Sequence, residues 1–160
     1  MTSKVLVTLS ADTNCHATVR SRNKNILDNR ERIAEDCVLR TAGLSKQVSS
    51  PEGPLTILDS VDLAVKRGET VAVAESSAGG LISASLLSIP GASAYFVGGG
   101  VIYTLAARNS LLPDGGNELR GIRSASEPYA SWLSKSIRDH LDSTWGLAET
   151  GACGPDGNRY

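Results

Sequence analysis

The chain has 160 residues, a length that suits one domain with a core of ordinary size. Its 16 Lys and Arg against 17 Asp and Glu leave a net charge of −1 with no basic cluster, so a nucleic-acid or anionic-membrane surface is not indicated. No apolar run approaches the roughly 20 residues that span a bilayer, the N-terminus lacks a signal peptide's apolar centre, and three widely spaced cysteines, Cys15, Cys37 and Cys153, argue against a disulfide framework. These exclusions lead us to expect a soluble, cytoplasmic protein with no nucleic-acid or membrane partner.

In chain order, KVLVTLS at the N-terminus reads as a short strand, and NRERIAEDCVLRTAG as one helix with Ile33, Cys37 and Val38 on a narrow apolar face and Gly43 as its stop. Neither offers enough clustered apolar surface for a core, so residues 1–52 are expected to be a poorly structured extension, with SSPEGP as a linker into a domain over 53–160. LTILDSVDLAVKRG places Leu55, Leu58, Val61 and Val65 at helical spacing, with Lys66 and Arg67 in the last turn and Gly68 as a stop. TVAVAE (70–75) is a short β-branched run typical of a buried strand. Gly79-Gly80 opens a helix that Pro90-Gly91 ends, AYFVGGGVIY (94–103) is a second strand, and TLAARNSLL is a short helix. Ser126 caps a helix with Pro128 in its first turn and Ala130, Leu133, Ile137 and Leu141 as its apolar stripe. WGLAET (145–150) is a third strand leading into the loop GACGPDGNRY. Strands alternating with helices predict an α/β domain with a mainly parallel central sheet, layered α/β/α.

From Val71 to Ser110 the chain carries only two formal charges, Glu75 and Arg108. Polar groups kept in so bare a stretch mark it as the place to look for chemistry. In ESSAGG (75–80) a strand ends, two serines occupy the turn and two glycines lead into a helix. A serine there is placed for nucleophilic attack, and backbone N–H groups could meet an anion. The plainer alternative is a tight strand-to-helix turn. Three glycines inside a strand, Gly98 to Gly100, imply close approach of a ligand or of packed backbone. Arg108 must meet Glu75, reach solvent or bind an anionic ligand. Cys15-His16 lacks a second ligand pair at zinc spacing, and His140 suits the C-terminal end of its helix, so no metal is expected.

The runs AESSAGGL, IPGASAYFVGGGVIYTLAAR and ETGACGPDGN, in this order and at these separations, resemble the CinA C-terminal domain family. That family's patterns are close to AESCTGG, PGAS-x-x-F-x-GG-x-x-x-Y-x-x-x-x-K and TG-x-AGP-x-G. The resemblance covers roughly residues 55–160. It implies hydrolysis of the carboxamide of nicotinamide mononucleotide or a similar nucleotide, releasing ammonia, with no cofactor and no metal. It implies a serine nucleophile at Ser76, a catalytic tyrosine at Tyr103, and Arg108 at the position of the family's lysine. Substrate contacts are then expected from Glu75, Ser77, Gly79, Gly80, Gly99, Thr150, Gly151 and Gly154. Three departures stand out. A guanidinium holds its proton too tightly to serve as a general base, Ser77 and Ala78 replace Cys and Thr, and the chain stops before the family's final strand and helix. The alternative expectation is a non-catalytic nucleotide-binding or oligomerisation module that kept the pocket and lost the base, with a homo-oligomer left open.

Overall fold

The computed structural model describes residues 5–11, 37–50, 53–113, 119 and 121–151. Among these residues are six strands: β1 (Val5–Ala11), β2 (Cys37–Ser50), β3 (Gly53–Lys66), β4 (Val71–Glu75), β5 (Phe96–Val101) and β6 (Trp145–Gly151). Three α-helices accompany them, α1 (Leu81–Leu87), α2 (Leu105–Leu111) and α3 (Glu127–His140), with a short 3-10 turn at Ala92–Ala94.

The principal sheet has the order β1-β6-β4-β5. Strands β5, β4 and β6 run parallel, and β1 pairs antiparallel with β6, from Val5↔Gly151 to Ala11↔Trp145. β4 is the centre, buried at every position, as a β-branched and alanine strand flanked by two neighbours should be. Reciprocal hydrogen bonds fix where β4 and β6 begin: Thr70 N donates to Thr144 Oγ1 and Thr144 N to Thr70 Oγ1, both at 3.1 Å.

Side-chain alternation along β4 divides the core into two layers. Ala72 and Ala74 face α3, where Ala130, Leu133 and Ile137 bury the predicted stripe with Ile102, Leu112 and Ala148. Val71 and Val73 face the other way, toward Ile82 and Leu86 of α1, together with Tyr95, Trp145 and Val65. Helices therefore cover both faces, and the fold is α/β with a parallel central unit, as the alternation of elements predicts. α3 starts where expected, the Ser126 hydroxyl accepting from Tyr129 N at 3.4 Å with Pro in the first turn.

Two predicted helices are strands instead. Residues 55–66 of one, read as a helix, belong to β3, and residues 37–43 of the other belong to β2; its residues 29–36 lie outside the described residues. β2 and β3 form an antiparallel hairpin whose register shifts at several points, one of them between Thr41 and Leu44, beside the Gly43 read as a helix stop. The sequence LTILDSVDLAV satisfies two periods at once. Leu55, Leu58, Val61 and Val65 fit 3.6 residues per turn, while Leu55, Ile57, Val61, Leu63 and Val65 fit alternation, and pairing with β2 decides between them. At the base of the hairpin Val65 is fully buried and Lys66 is exposed, the alternation of a strand.

Candidate functional site

β4 and β6 end side by side. Their last registered pair before the turn is Ala74↔Ala148, and each is followed by a glutamate, Glu75 and Glu149. By alternation both carboxylates lie on the α1 face. Each is almost completely buried, Glu75 at 1% exposed and Glu149 at 2%. A buried carboxylate is tolerated only when hydrogen bonds replace its water, and both find them in the segment from Ser76 to Ser83.

Glu75 folds back onto the entry of α1. Its Oε2 accepts from Gly80 N at 2.9 Å and Ile82 N at 3.0 Å, and its Oε1 from Ser83 N at 2.8 Å and Ser83 Oγ at 2.6 Å. Glu149 reaches across from β6. Its Oε2 accepts from Ser76 N at 3.0 Å and Ala78 N at 2.8 Å, while the Ser77 hydroxyl donates to its Oε1. Gly79 N donates to Ser76 O and Leu81 N to Ala78 O. From Ser76 to Ser83, the Ser77 amide is the one without an acceptor among the described residues. The other amides that sequence reasoning offered to an anion are thus already engaged, and two carboxylates beside them disfavour a further negative charge. Gly79 (φ 63) and Gly80 (φ 99) take the left-handed conformations that wrap the turn around the carboxylates, conformations other residues adopt at a cost.

The remaining expected site residues are spread around this turn. Ser76 is half-buried, and its hydroxyl bonds to nothing among the described residues. Gly99 sits where β5 passes α1: a Cβ there would come within 2.7 Å of Val73 O and 2.9 Å of Ser83 Oγ, so its lack of a side chain lets Ser83 reach Glu75. Thr150 points to the opposite face, where its Oγ1 accepts from Ala125 N at 3.2 Å ahead of α3. Gly151 ends β6, and Gly154, with Cys153, lies outside the described residues, as do Cys15 and His16.

Tyr103 follows β5 and is 65% exposed, with no hydrogen bond to Ser76. Arg108, on α2, pairs with neither Glu75 nor the turn. It faces Tyr129 of α3, where burial raises the phenol above its ordinary 10.0 and the guanidinium, through its charge and hydrogen bonding, pulls it back. Arg108 Nε is buried with no partner among the described residues. Sequence reasoning missed Glu149 and Tyr129. A signal for Glu149 existed: VAVAES and WGLAET are both apolar strands closing on Ala-Glu and a hydroxyl residue, and a lone acid closing a buried strand must be doing something there.

A parallel α/β sheet whose central strands end in a serine-rich turn, clasped by two buried carboxylates, defines the class of domain to which the chain is compared. Residues 57–160 match the model of the CinA C-terminal domain, and the chain belongs to that family. It is 41% identical over 92 residues to a CinA-like protein of Acaryochloris marina, covering 58% of this chain and 22% of that protein. It is 44% identical over 100 residues to one of Gloeobacter violaceus (61% and 23%) and 39% over 90 residues to one of Nostoc sp. (56% and 21%). The chain thus spans less than a quarter of the length of these curated relatives. Among the described residues no helix is long and apolar enough to cross a membrane.

Proposed function

We infer that the domain is an amidohydrolase acting on the carboxamide of nicotinamide mononucleotide or a similar nucleotide. Membership of the family supports the class. The observation that carries the chemistry is the Ser76-Ser77 pair, half-buried at the end of the central strand and held by the Glu149 carboxylate. Such a hydroxyl attacks the carboxamide carbon, ammonia leaves, and water releases the nicotinate product from the serine ester. The family resemblance gives the attacking serine as Ser76, with Tyr103 relaying its proton. Arg108, whose Nε has no partner among the described residues, is the cation available to the substrate phosphate or to developing negative charge.

A second reading has its own support. Arg108 turns toward Tyr129 and Tyr103 is largely exposed, so neither is joined to the serines by a hydrogen bond. A module that binds a nucleotide without hydrolysing it fits that arrangement. Ammonia release from nicotinamide mononucleotide separates the two. The amidase produces ammonia and nicotinate mononucleotide in equal amounts, whereas the binding module shows saturable binding by calorimetry and no ammonia at any pH.

A further inference from the structure

We propose that Ser77 is the nucleophilic hydroxyl of the turn and Glu149 its general base, an assignment that takes its substrate from the amidohydrolase reading. The reaction needs a group that accepts the serine proton, and a guanidinium at position 108 does not supply one. Glu149 does. Its two oxygens are used differently: Oε2 is anchored by the amides of Ser76 and Ala78, while Oε1 carries, among the described residues, the Ser77 hydroxyl alone. The anchored oxygen fixes the carboxylate, and the other is placed to exchange a proton. A nucleophile bonded to a base that is itself oriented by a third set of groups is the geometry that activates serine.

The other hydroxyl–carboxylate contact in the turn does not fit this role. Ser83 Oγ also bonds a glutamate, but Glu75 spends both oxygens on amides, and Ser83 is wedged close beneath Gly99 of β5. Ser76 has no acceptor for its proton among the described residues. Among the described residues Glu75 is the other titratable group bonded to this turn, and its hydrogen bonds hold it to the helix entry rather than to Ser77.

The step balances. Ser77 Oγ forms a bond to the carboxamide carbon as its proton passes to Glu149 Oε1. The C–N bond then breaks and Glu149 returns that proton to the departing ammonia, leaving an ester on Ser77. Water adds with loss of a proton to Glu149, the C–Oγ bond breaks, and the proton goes back to Ser77.

A fluorophosphonate serine probe tests the assignment without relying on the substrate. The protein is labelled, digested, and the adduct located by tandem mass spectrometry, with the parent beside Ser77→Ala and Glu149→Gln. Glutamine keeps an oxygen for the Ser76 and Ala78 amides, and thermal melts confirm that both variants are folded. The expected result is an adduct on Ser77, lost in Ser77→Ala, and formed about a hundredfold more slowly in Glu149→Gln. An adduct on Ser76, no adduct in the parent, or labelling of Glu149→Gln at the parent rate overturns the assignment. Ammonia release is measured on the same samples. A labelled Ser77 without ammonia from nicotinamide mononucleotide upholds the nucleophile and rejects that substrate. Ammonia with the adduct on Ser76 rejects the nucleophile and keeps the substrate.

Discussion

Glu75 shows how a single residue can look like a ligand contact and act as a clamp. Its carboxylate accepts three amides and a hydroxyl at the start of α1, so Glu75→Ala leaves several buried donors without acceptors. We expect it to lower unfolding free energy by about 3 kcal/mol in urea titration, and an effect below about 1 kcal/mol would mean that water replaces the carboxylate. The glycine run in β5 makes a sharper comparison. A Cβ on Gly99 meets the Val73 carbonyl at 2.7 Å, whereas one on Gly100 finds nothing nearer than Ile102 Cδ1 at 3.5 Å. Gly99→Ala should therefore cost about 1–3 kcal/mol, while Gly100→Ala stays close to neutral; equal effects would contradict the close approach of the Val73 carbonyl and Ser83 to Gly99. Tyr129 predicts a pH dependence. Its phenol is raised above 10.0 in the fold, so the unfolded chain ionises first. The stability it contributes is complete below the unfolded value and is lost as pH rises through the folded one. Tyr129→Phe should flatten the decline in stability above about pH 10, and an unchanged slope would refute the assignment.

Elements were legible where the signals are local. The β4 run, the two glycines after it, the Ser126 cap and the Ala130-Leu133-Ile137 stripe each sit where the structure has the corresponding strand, turn or helix. β3 was not legible because its residues fit two periods, and the choice depends on β2, a partner that no local window contains. Glu149 and the Arg108–Tyr129 contact were hidden for the same reason: each joins segments far apart in the chain. β1 carries a testable consequence. It comes from the part of the chain that composition marks as an extension, yet it pairs along the whole of β6, and α3 packs against it. Deleting residues 1–11 strips β6 of that neighbour and leaves an open edge beside Glu149. We expect a melting temperature lower by several degrees, and an unchanged one would place the start of the independent domain near residue 53.

At the scale of the whole molecule, fold and site share one construction. The parallel strands β4 and β6 bring two glutamates together, and those glutamates shape the turn that presents Ser76 and Ser77. The resemblance could be found in the sequence because its three blocks are contiguous motifs. The bracing role of Glu149 stood outside that resemblance, because the family pattern begins at the Thr150-Gly151 that follows it, and only the likeness of WGLAET to VAVAES pointed to it. The measurement that bears most directly on the account is ammonia released when the purified chain is incubated with nicotinamide mononucleotide across a range of pH. Ammonia should appear in step with nicotinate mononucleotide, and turnover should fall by at least about a thousandfold when both turn serines are replaced by alanine. No ammonia at any pH, or the same ammonia without the serines, would contradict the account.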